Sequence, residues 1–260
     1  MVEADLYGSM RSHIPEDRHS VFRMAIRDGL RLKHASAGDA VIGWFGGLPE
    51  LPVGVDWPGD GKAHYEHVAS IDLATLPKSD LELPRRGRIS VFGDTEGSAG
   101  AFLYFPDDIA LREAALPPDL ESDDRVFERV PMTYAVVPTI PSPRWLEEHL
   151  LYEDDADEVL EQLEAFGTKF FTHSGSWHQL GGWANEIQSE RDRGLLPDSA
   201  AERHFFPQGA PAGQILLAQF DTDHAIGMGW GDFGTLYCFI DPGHLAAHEF
   251  SDVAVYWECY

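Results

Sequence analysis

The sequence predicts an α+β fold made of two similar, mainly antiparallel β-rich halves with flanking helices, an internal duplication. Three observations carry that expectation. Short apolar runs broken by Gly and Pro fill residues 40–141 and return in the C-terminal third. The regular strand–helix alternation of a doubly wound parallel sheet is missing. The order of glycine-marked strands in the first stretch recurs in the second. With 260 residues, 43% of them apolar, there is ample material for a core. We divide the chain into an N-terminal amphipathic helix (1–35), a first β-rich half (36–141), an acidic helical connector (142–170) and a second β-rich half (171–260), all within one compact unit.

Taken in order, residues 15–33 read as a helix. Pro15 with Glu16 and Asp17 makes a favourable first turn. On a helical wheel Val21, Phe22, Ala25, Ile26, Gly29, Leu30 and Leu32 form an apolar stripe, with Arg23, Arg27 and Arg31 one turn apart beside it. Strands are expected at residues 41–45, 68–71, 88–92, 101–105 and 132–137, and in the second half at 215–220, 235–240 and 253–257. Ser142 and Pro143 open the clearest helical region, 142–166. Its acids include Glu158, Glu161 and Glu164, while Val159, Leu160, Leu163 and Phe166 keep an apolar face. A further helix is expected over 187–204, interrupted at Pro197.

The internal repeat is short but ordered. Gly46-Gly47 precedes the strand ending in Asp72, and Gly87 opens the next strand; Gly181-Gly182 precedes the strand ending in Asp221, and Gly234 opens the next. Phe45-Gly46-Gly47-Leu48-Pro49 with Asp56-Trp57-Pro58 resembles the opening signature of the YwqG-like family. His178-Gln179-Leu180-Gly181-Gly182 with Ile187-Gln188 resembles its second signature. Leu216 to Asp221, the turn through Asp232-Phe233-Gly234 and Cys238-Phe239-Ile240 resemble its third. Ser70 and Trp183-Ala184 depart from the usual pattern. The resemblance implies an α+β fold of two similar halves. It implies no activity, since that family is one of unknown function, and some relatives look like members of bacterial toxin–immunity neighbourhoods.

Charge narrows the function classes. The chain carries 44 acidic and 19 basic residues, a net charge of -25. A broad basic face for nucleic acid or an anionic membrane is therefore excluded, and a basic protein is the expected partner. The N-terminus shows neither a basic start nor an apolar run, so the reading is a cytoplasmic protein without a membrane span, with Cys238 and Cys259 as buried thiols.

Motifs for chemistry are scarce. Gly229 to Gly234 matches GxGxxG, yet it opens a strand and carries Asp232, so it reads as a hairpin loop. His244 and His248, and likewise His64 and His67, have a ligand-like spacing, but HExxH is absent and neither metal nor cofactor is expected. The best binding candidate is Trp177-His178-Gln179 with Gly181, Gly182 and Gln188, which combines an imidazole, amides, an aromatic wall and close-approach glycines. Its counterpart is Gly46, Gly47 and Pro49 with Asp56 and Trp57; Gln219, Asp221 and Asp232 complete the set. The expectation is a binding module that captures a basic partner through Glu158, Glu161 and Glu164. The alternative is an enzyme with a cleft between the halves, centred on His178 with Asp232 or Asp56.

Overall fold

The computed structural model describes residues 3–122, 125–141, 150, 161–162, 165–166, 175–185, 187 and 214–260. The chain opens with α1 (Glu3–His13), which lies within the N-terminal helical region but ahead of the helix expected at 15–33, then a 3-10 turn at Glu16–Arg18 and α2 (His19–Ala25). Leu6, Met10, Ile14 and Phe22 from this corner pack on Ile140, Leu150 and Phe166. The Phe22 and Phe166 rings meet edge to face at 5.1 Å.

The helix expected over 15–33 stops at Ala25, and Arg27–His34 is instead a strand, β1. The wheel was satisfied by coincidence. Leu30 and Leu32 also alternate with Arg31 and Lys33, and this period of two wins because strands are available on both sides. The arginines thus do not form one helical row.

The remaining strands are β2 (Gly43–Phe45), β3 (Glu50–Pro52), β4 (Glu66–Asp72), β5 (Arg88–Gly93), β6 (Gly100–Phe105), β7 (Leu111–Glu113), β8 (Val130–Thr139), β9 (His178–Leu180), β10 (Ile215–Asp221), β11 (Thr235–Ile240) and β12 (Ala254–Glu258), with short helices α3 (Pro118–Ser122) and α4 (Pro242–Ala247). Nine of these strands join β1 in one antiparallel sheet in the order β12-β11-β10-β9-β1-β8-β2-β4-β5-β6, and β3 pairs with β7 apart from it. The edge strands β6 and β12 approach each other, which nearly closes the sheet into a barrel. Trp257 supplies the seam: its backbone N–H donates to Ser98 Oγ at 3.1 Å, and its indole N–H donates to Asp94 O at 2.8 Å. Closure hides strand edges that would otherwise seek partners.

Each side of the central β1–β8 pair follows the same strand order and register. Phe45 faces Ala69, Ala69 faces Val91 and Val91 faces Phe102 on one side. Leu180 faces Ala218, Ala218 faces Cys238 and Cys238 faces Val255 on the other. A register irregularity falls at His67/Ala69 and again at Leu216/Ala218. In the centre Leu32 faces Tyr134 and His34 faces Met132, with Lys33 opposite Thr133 between them. Two rows of strands result: β1, β2, β4, β5, β6, and β8 to β12. The first strand of each row lies beside the second strand of the other.

The interior is packed with apolar side chains from both rows, including Leu32, Phe45, Ile71, Val91, Phe220, Trp230, Leu236 and Cys238. Outside the first row, the β3–β7 ribbon covers Phe92 and Phe105 through Leu51 and Leu111. Among the described residues no helix is long and apolar enough to cross a membrane.

Candidate functional site

The two glycine pairs have the same local geometry. Gly46 and Gly47 follow β2 with φ of 58° and 68°, and Gly181 and Gly182 follow β9 with φ of 60° and 69°. Gly46 N–H donates to Val68 O at 2.8 Å, and Gly181 N–H to Leu217 O at 3.0 Å. They do not meet at a common seam, contrary to the expectation of a shared site. Phe45 sits abreast of Val130, whereas Leu180 pairs with Leu30, itself opposite Val136. Six residues of β8 separate the two levels, about 20 Å at strand rise.

On the inner face, His178 is buried between the rings of Phe45 and Phe220, at 4.8 and 6.0 Å. Its carboxylate partner is Asp223, with Nε2 3.2 Å from Oδ2; His34 Nε2 lies 2.9 Å from the same oxygen. The hydrogen bond from His178, with both imidazoles nearby, holds the Asp223 carboxyl below its ordinary range. Asp56 and Asp232 are exposed, and neither contacts His178 among the described residues. Residues 2% accessible, as His178 is, do not line an open cleft. Its Nδ1 is buried with no hydrogen-bond partner among the described residues.

On the outer face of the second row the amides serve the fold. Gln179 Oε1 accepts the Trp177 indole N–H at 2.7 Å, and its Nε2 donates to Gly181 O and Trp183 O at 2.7 and 2.9 Å. Gln219 Oε1 accepts Asn185 N–H at 2.9 Å. Arg31 lies over Trp177 and Arg27 over Trp183, each 4.1 Å from the ring. Burial lowers both guanidinium pKa values. Asp221 accepts Trp177 N–H at 2.7 Å and Thr235 O–H at 2.8 Å, and burial raises its pKa against those bonds.

The first row carries a different set at the same places. Trp44 replaces Gln179 and bears Arg129 at 4.4 Å from its ring. Ser70 stands where Gln219 stands, and His67 lies beside it, both buried. His67 Nδ1 is 3.1 Å from the carbonyls of both Gly46 and Gly47, so this nitrogen carries the proton; Nε2, 2.9 Å from Ser70 Oγ, then accepts the hydroxyl. Ser90 Oγ continues the chain at 3.0 Å. Burial pushes the His67 pKa down to about 4, so the ring is neutral near pH 7.

A cavity of about 280 Å3 opens at the end of the first row, between the β3–β7 ribbon, Asp72, Arg88 and the 105–109 turn. Sequence reasoning missed it because its walls come from four separated segments, at Glu50, Asp72, 87–88 and 105–111. It also missed His34 and Asp223, and it singled out Arg27 and Arg31 without their places over Trp183 and Trp177. The only local signal for Asp223 is its position two residues beyond the strand-ending Asp221.

The other candidates are scattered. Pro49 O accepts Ala114 N–H at 2.9 Å beside the ribbon, and the Trp57 indole donates to Tyr65 O at 2.7 Å. Gln188, Glu158 and Glu164 lie outside the described residues, as does the helix expected over 187–204 apart from residue 187; Glu161 is helical and exposed. Asp241 caps α4, and His248 takes φ of 58° just beyond it, so His244 and His248 do not share a helical face. Among the described residues no group of His, Cys, Asp and Glu is arranged to hold a metal. Asp232 lies in the tight turn before β11, as expected of a hairpin loop.

No curated protein matches the chain. A family match spans residues 44–259, which begins within β2 and takes in both glycine pairs and every strand from β3 through β12. With more than half of its length matched, the chain belongs to the family described as domain of unknown function (DUF1963).

Proposed function

We propose that the chain is a binding protein that captures a basic polypeptide, with an immunity-type role as its concrete form. One observation carries this reading: a net charge of -25 sits on a barrel whose interior is filled. Such a molecule presents a negative field and a closed core, which suits attraction of a cationic partner and repels nucleic acid. The catalytic alternative loses its support, because His178 is shut inside and its expected carboxylates lie elsewhere. A cytoplasmic location fits two cysteines that are both thiols. Placement among YwqG-like proteins rests on the glycine-pair signatures, and the equal registers of the two rows support an origin by duplication.

The test is binding of a short Arg- and Lys-rich peptide, measured by calorimetry across salt concentrations. Affinity is expected to fall steeply between low and physiological salt, and to fall again on reversal of Glu158, Glu161 and Glu164 to Lys. A flat salt response overturns the reading.

A further inference from the structure

We propose that the cavity at the end of the first row is a binding site for a cation on an aliphatic stem, the side chain of an arginine or lysine in a polypeptide. This deepens the reading above and rests on it for the identity of the partner. The cavity lining is of two kinds. Phe105, Ile109 and Leu111 supply apolar surface, suited to methylenes; Asp72 and Asp107 supply carboxylates. The neighbouring Arg88 is already engaged by Glu50.

Comparison of the two rows shows what is missing at Asp72. Asp221 occupies the same register position, opposite Thr235 as Asp72 is opposite Arg88. Two donors, Trp177 N–H and Thr235 O–H, reach the Asp221 carboxylate, one to each oxygen. At Asp72 one oxygen accepts Ala74 N–H at 3.0 Å, and among the described residues no donor reaches the other. Asp107 accepts Gly87 N–H at 2.7 Å; among the described residues its second oxygen has only Arg86, 3.9 Å away and 81% exposed. The site therefore lacks a donor where its twin position has one, and it carries uncompensated negative charge.

The surroundings favour a polypeptide over a free amine. Pro52 pairs with Leu111, which puts Val53 and Ile109 at the same end of the ribbon. Val53 is 73% exposed and Ile109 is 40% exposed, an apolar ledge beside the cavity mouth. A chain lying on that ledge would insert one basic side chain between Ile109 and Asp72.

The experiment is an NMR titration with N-acetyl-arginine amide, N-acetyl-lysine amide and the uncharged N-acetyl-citrulline amide, alongside the basic peptide. Shifts at Gly87, Asp107 and Ile109 are expected with the two cations and not with citrulline. D72N and D107N keep the acceptors for Ala74 and Gly87 and remove the charge; each is expected to weaken cation binding about fivefold. I109W fills the cavity from its exposed rim and is expected to abolish binding in a chain that melts like the parent. Equal shifts from citrulline, or none from either cation, overturn the proposal. Peptide binding that stays salt-sensitive and intact in I109W also overturns this site, while leaving the basic-partner reading standing. Cation binding without any peptide binding supports the site and sinks that reading.

Discussion

At the scale of single residues, the chain separates groups that look alike in sequence. His67 and His178 are both buried, but their partners differ. His67 sits between glycine carbonyls and a serine hydroxyl, His178 against Asp223. For His67 the folded pKa, about 4, lies below the ordinary histidine value of 6.5. The unfolded chain therefore takes up the proton first as pH drops. Its contribution is complete above pH 6.5 and is lost progressively down to about 4, a total of about 3 kcal/mol. Urea unfolding of the parent and of His67→Gln at pH 7 and pH 4.5 checks this. The parent should lose more stability than the variant over that interval; parallel losses would refute it. His67 was noticed in the sequence only for its spacing from His64. The imidazole's real constraint, the carbonyls of Gly46 and Gly47, comes from the turn that follows β2.

At the scale of elements, the glycine pairs were legible and their use was not. Their left-handed φ is what a strand-to-loop reversal asks of glycine. Crowding adds a second requirement. A Cβ at Gly46 would stand 2.5 Å from Glu128 O, and one at Gly182 would stand 2.6 Å from Thr139 Oγ1. Gly46→Ala and Gly182→Ala should each cost about 2 kcal/mol or more, measured by chemical unfolding, through strain and displaced backbone together. A loss below about 0.5 kcal/mol would mean the turns yield freely. The strands at 88–93, 100–105, 215–221 and 235–240 were readable because their apolar runs are bounded by Gly and by acids. β1 was not, since Leu30 and Leu32 satisfy a helical stripe and a strand alternation equally well. Only the neighbours β8 and β9 choose between them.

At the scale of the whole molecule, the two rows interlock. β1 lies between β8 and β9, and β8 lies between β1 and β2, so each row lends its first strand to the boundary between them. A chain cut after Ser122 leaves β1 to β7 in one piece and β8 to β12 in the other. In each fragment the first strand then loses both of its neighbours, the second strand loses one, and half of the interior is missing. Neither fragment alone should show a cooperative melt, and mixing them should restore the native tryptophan fluorescence. Independent folding of either piece would show that the exchange of first strands is dispensable.

What the sequence determined by itself is the β-rich character, the repeated order of strands and turns, and the excess of negative charge. These depend on short-range periodicity, on glycine conformation and on counting, all of which are local. Tertiary structure alone decided that Arg27–His34 is a strand, that His178 faces Asp223, that the glycine pairs lie at opposite ends of the central strands, and that Asp72 opens into a cavity. The reason is the same in each case. Those outcomes depend on which distant segment supplies the neighbouring strand or donor, and a residue's own neighbours along the chain carry no record of that choice.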